Sequence, residues 1–94
     1  MSEDMGVEIS MTALSKSFRM FSRHELRDII GRAQSGDAGP IFQNCHNSEK
    51  YHIMADGLCI VVLIDDGDAV VLTQMHKHFN HHKSDEFQQV HQIK

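Results

Sequence analysis

Arginine and histidine meet at Arg23-His24, with Arg27 one helical turn further on. If a helix starts here, its first backbone N–H groups are free and its dipole favours an anion. Arg23 and Arg27 then form a phosphate-binding pair, and His24 supplies an imidazole, the usual acid/base group, that can move a proton. The competing reading is a solvated face. At 3.6 residues per turn His24 projects about 160° from Leu26, away from an apolar stripe. A second group is Tyr51, His52, Thr73 and Gln74, with His76 beyond. Thr73 and Gln74 are polar residues closing an apolar run, where sheet-end sites form. Polar residues also return wherever a strand leaves the core. Alternation puts Thr73 and His76 on opposite faces of a regular strand, so one cleft uses only one of them. The third group is His76, His78, His81 and His82, with His91 later. Imidazoles so close together can bind zinc, nickel or copper, although the spacing matches no closed zinc site. A solvated, pH-sensitive tail explains the same residues.

Charge supplies a fourth group. Residues 35–68 hold six acids against Lys50 alone, and Asp65, Asp66 and Asp68 crowd one turn. These three are candidates for binding a basic protein partner. Residues 11–34 run the other way, with five bases (Lys16, Arg19, Arg23, Arg27, Arg32) against Glu25 and Asp28. The net charge of −4 disfavours non-specific binding to nucleic acid, and the basic stripe leaves one anion-facing surface open. Phosphate loops, dinucleotide-binding glycines, a Gly-x-Ser-x-Gly elbow and Cys-x-x-Cys are all missing. Tryptophan is absent and Tyr51 is the one tyrosine, so base-stacking platforms are few.

The elements that must position these groups fit one domain of 94 residues. The expected ordered core is about 7–78, followed by a polar, His-rich tail over 79–94. No apolar run is long enough to span a membrane. The acidic start MSEDMG lacks the basic and apolar regions of a secretory signal, which points to the cytoplasm. Cys45 and Cys59 are then expected as reduced thiols, Cys59 acting as a small hydrophobe.

Residues 7–11 alternate as a short strand does, and a short helix is favoured over about 12–19. Ser22 and Glu25 make a capping box, and Phe21 and Leu26 a hydrophobic staple. Leu26, Ile29, Ile30 and Ala33 form an apolar stripe and Gly36 a left-handed stop, so the main helix spans about 23–34. A weak strand at 40–44 and strands at 50–55, 58–64 and 69–75 follow. Asp56-Gly57 marks a tight hairpin, and Asp65–Asp68 reads as a four-residue turn. Ser84 is placed as the cap of a last short helix with Phe87 and Val90 on one side. The class is therefore α+β: an N-terminal helical region packed on a three- to four-stranded antiparallel β-meander. Segment 58–64 is apolar on both faces. Its second face needs the 7–21 segment, the tail, or a second copy, which makes a homo-oligomer an expectation.

This order of elements, with Ser22-Arg23-His24 opening the helix and then KYHIMADG and LCIVVLIDDGDAVVLTQM, resembles the small ribonuclease-toxin superfamily. That group includes RelE-type toxins, colicin-like tRNA nucleases and related bacterial domains. The resemblance covers roughly residues 18–77 and rests on element order, the Arg-His at the helix start and the threonine ending the last strand. It implies a helix on a twisted antiparallel sheet. It also implies RNA cleavage without a metal or cofactor, in which the 2′-hydroxyl attacks the adjacent phosphate. By resemblance, Arg23 and His24 match the helix-start motif and Thr73 the last strand, and these are the catalytic candidates. The chain departs from such nucleases in being acidic, and its helix lacks the charged turn and glycine that follow Arg-His in relatives.

Two function classes follow. One is a small acidic inhibitory protein, of immunity, antitoxin or anti-defence type, that blocks a protein partner. The other is a metal-independent endoribonuclease acting on RNA. A pH- or metal-responsive His-rich binding protein is a further alternative.

Overall fold

A computed structural model describes residues 6–11, 21–76 and 85–93. The described elements are β1 (Val7–Ile9), α1 (Arg23–Ser35), β2 (Ile41–Asn44), β3 (Lys50–Ala55), β4 (Leu58–Asp65), β5 (Asp68–His76) and β6 (Phe87–Val90). The strands form one six-stranded sheet in the order β1-β5-β4-β3-β2-β6. β1 runs parallel to β5, and every other pair is antiparallel. The α+β class stands, and three parts of the expected architecture are corrected. The helix lies between β1 and β2, the sheet has six strands, and β1 makes it mixed.

Local chemistry explains α1. Ser22 Oγ accepts from Glu25 N–H at 3.3 Å, and Glu25 Oε1 accepts from Ser22 N–H at 2.9 Å. This reciprocal pair satisfies two donors that the helix itself leaves orphaned. Gly36, at φ 78°, ends the helix in the left-handed region, and Asp37 N–H returns to Arg32 C=O at 2.8 Å. Leu26, Ile29, Ile30 and Ala33 are buried against the sheet, where Phe21 joins them.

Two of the meander's three hairpins, β3-β4 and β4-β5, turn on an Asp-Gly pair. Asp56 and Gly57 have φ of 47° and 81°, Asp66 and Gly67 of 54° and 84°. Paired positive φ values are those of the two-residue turn whose twist matches the flanking strands. The expected four-residue turn at Asp65–Asp68 is thus a two-residue one, because Asp65 and Asp68 pair as the last rung of the ladder.

The sheet buries both faces. Ile53, Ile60, Val62 and Val71 lie under α1. Phe42, Met54, Cys59 and Val61 form a second cluster on the other face. Cys59 and Val61 of β4 are buried on that second face within one chain and Leu63 is half-buried, so the apolar surplus of β4 does not by itself call for a second copy. β4 and β5 shift register between Val61 and Val62: Val62 pairs with Val71, but Val61 pairs with Thr73. Leu72 is the extra residue of a bulge, and beyond it the faces of β5 are exchanged.

The C-terminal expectation is also corrected. Phe87–Val90 is a strand, paired with β2, and not a helix. In a helix Phe87 and Val90 would share one side. In a strand they point to opposite faces, and each finds an apolar cluster there, Val90 with the helix-side core and Phe87 with the second. Ile93 is buried and its N–H donates to Ala33 C=O at 3.1 Å, so the core does not stop at residue 78. The expected helix over 12–19 lies outside the described residues.

Candidate functional site

Arg23 and Arg27 lie four residues apart on α1 and reach one hollow of about 470 Å³. Its other walls come from Val7, Glu8, Ile9 and Ser10 of the β1 segment and from Val70. Neither arginine forms an ion pair with another described residue. His24, although next in sequence to Arg23, turns about 100° around the helix. It lines a separate hollow of about 410 Å³, floored by Phe21 and Ile29, where Asp28, Arg32 and Asp56 also stand. Asp28 there is engaged by Arg32, whose Nε donates to its Oδ2 at 3.1 Å. That pair raises the Arg32 pKa through the hydrogen bond and charge of Asp28. It is exposed, so it contributes little to stability.

Thr73 is not with them. The bulge pairs it with Val61, a member of the cluster on the face away from α1. Arg23, His24 and Thr73 therefore do not meet in one cleft: the arginine and histidine serve different hollows, and the threonine lies across the sheet. Gln74 is the residue that the bulge delivers to the helix side. Its side chain is fully buried, accepts from Phe21 N–H at 2.8 Å and donates to Phe21 C=O at 3.0 Å. A residue expected at a sheet-end site thus holds the chain entering α1, two residues before Arg23.

Tyr51 and His52, adjacent on β3, also part. Tyr51 is buried in the helix-side core and its hydroxyl accepts from Gln43 Nε2 at 3.2 Å. His52 is buried on the other face, its ring 4.6 Å from that of Phe87. Of the proposed metal ligands, His76 ends β5 opposite Leu58, while His78, His81 and His82 lie outside the described residues. Among the described residues, no three metal-capable side chains gather.

The acidic candidates divide as well. Asp65, Asp66 and Asp68 are all exposed, and they differ in what they hold. Asp68 accepts from Gly6 N–H at 3.1 Å, while Gly6 C=O accepts from Ala69 N–H at 2.8 Å, so Asp68 helps to hold β1 on the sheet. The exposed Glu49 joins Asp65 and Asp66: its C=O accepts from Ile64 N–H at 2.8 Å, which sets its turn beside Asp65. Sequence reading passed over Glu49 and also over Glu8, because nothing local shows that distant turns share one end of a sheet.

Both thiols are free, Cys45 exposed and Cys59 buried. Burial raises the Cys59 thiol from an ordinary 9.0 to about 11. The unfolded chain therefore loses this proton first, and stability falls as pH rises from about 9 towards 11. An aromatic disulfide reagent at neutral pH should titrate one thiol of the native protein quickly and the second only on unfolding. Two fast thiols would contradict the burial of Cys59.

No helix among the described residues is long and apolar enough to cross a membrane. The chain matches no protein-family model, no curated protein and no solved structure.

Proposed function

We propose that this protein is a small acidic inhibitor that blocks a basic protein partner through the end of the sheet bearing Glu49, Asp65 and Asp66. The observation that carries the reading is the exposure of these three acids side by side on two turns braced by the sheet. Acids held in this way steer a positively charged partner and raise its association rate. Catalysis has less support, because the groups it would need are divided between two hollows and two faces.

The test is association kinetics with the basic protein that the chain captures from its host extract. In Asp65→Asn/Asp66→Asn the on-rate should fall about tenfold at low salt, and the difference should shrink as salt screens the charges. Arg23→Ala and His24→Ala should bind as the parent does. An on-rate unmoved by the double substitution would refute the reading. RNA cleavage that survives EDTA and falls about a hundredfold in His24→Ala would replace it with the metal-independent nuclease.

A further inference from the structure

We infer that the outer edge of β1, beside Arg23 and Arg27, accepts an extended peptide of alternating acidic and basic residues as an added strand. Among the described residues β1 is an outer strand of the sheet and pairs with β5 alone. The parallel ladder uses alternate residues of β1. Ala69 N–H donates to Gly6 C=O at 2.8 Å and Ser10 N–H to Val71 C=O at 3.0 Å. Gly6, Glu8 and Ser10 therefore turn their backbone groups towards β5, and Val7 and Ile9 turn theirs outward. The hollow that Arg23 and Arg27 share runs along these same residues. An outward row of N–H and C=O groups is a template for one more strand.

The side chains around that edge specify the occupant. Val7 and Ile9 pack on the helix-side core. Glu8 pairs with Val70 in register, faces the other side and is exposed. An added strand therefore meets two guanidinium groups with its helix-side residues and a carboxylate with the residue between them. Because side chains alternate along a strand, the complementary pattern is acid, base, acid. RNA fits the edge less well. Its phosphates accept hydrogen bonds and would leave the outward C=O groups unmatched, and Glu8 repels them. A second copy also fits less well, since symmetric antiparallel pairing centred on Glu8 would set two carboxylates opposite one another. The inference uses none of Glu49, Asp65 or Asp66 and stands apart from the inhibitor reading.

The test is titration of the full chain with a labelled peptide of alternating glutamate and lysine, followed by fluorescence anisotropy and amide NMR. Binding should saturate, and the Val7 and Ile9 amides should become protected from exchange. A peptide of the same composition with its glutamates and lysines in separate blocks should bind at least about tenfold more weakly, as should the parent peptide to Arg23→Glu/Arg27→Glu. Both arginines are exposed, so the double variant should keep the parent's circular dichroism. Absence of saturable binding, equal affinity for the two peptides, or Val7 and Ile9 amides left unprotected at saturation would each overturn the proposal. So would tighter, arginine-dependent binding of an oligoribonucleotide, which would make the edge a polyanion site. Protection of Val7 and Ile9 in a peptide-free dimer would assign the edge to a second copy.

Discussion

Ile30→Ala is expected to lower the unfolding free energy by about 3 kcal/mol, the usual effect of truncating a fully buried aliphatic side chain to a methyl group. Ile30 has no exposed surface and lies in the stripe by which α1 covers the sheet, in one cluster with Ile60 and Val62. The loss combines the burial of the missing carbons with the cavity they leave. A small domain is stable by only about 5–15 kcal/mol, so the change takes a large share of the total. For a chain of this length the melting temperature should drop by roughly 10–20 °C, read by circular dichroism. A melt within a degree or two of the parent would mean that α1 does not pack on the sheet through this face.

Gln74→Leu is expected to destabilise by about 2–4 kcal/mol, although it places an apolar residue in an apolar core. The sign follows from what the amide does. It bonds both the N–H and the C=O of Phe21 in a buried position. Leucine removes both of these bonds from buried backbone groups, at about 1–3 kcal/mol for each. Area bookkeeping alone would make the substitution favourable, so the direction separates the two accounts. Gln74→Glu keeps an acceptor for Phe21 N–H but removes the donor to Phe21 C=O and buries a carboxylate, so it should not restore stability. The check is the urea midpoint with an unchanged slope. A Gln74→Leu protein as stable as the parent would show that the link between β5 and the entry to α1 carries no weight.

Where short-range rules apply, the sequence was enough. The cap at Ser22 and Glu25, the stripe from Leu26 to Ala33 and the stop at Gly36 depend only on residues within a turn or two of each other. The same holds for the hairpin at Asp56-Gly57, where positive φ is required within the pair itself. The central, doubly apolar strand was legible too, because burial on both faces leaves no polar alternation. What lay beyond reach depended on pairing across long separations. FQQV has no strand signature of its own, and it became β6 because β2 offered an edge and two apolar clusters lay one on each side of it.

The candidate site divides along the same line. That Arg23 and Arg27 share one face of α1 was readable from their helical spacing, a property of the local chain. That His24 leaves them follows from the same local geometry, whereas Thr73 facing away and Gln74 turning inward were decided by one extra residue, Leu72, in the ladder between β4 and β5. Strand side chains alternate with a period of two, so a single inserted residue exchanges the faces of everything after it. No composition or spacing within β5 announces that insertion, because it exists only as a mismatch against β4. The residue types and their local geometry were thus determined by the sequence directly. Which of them share a surface was determined by register, and register is set by the whole sheet.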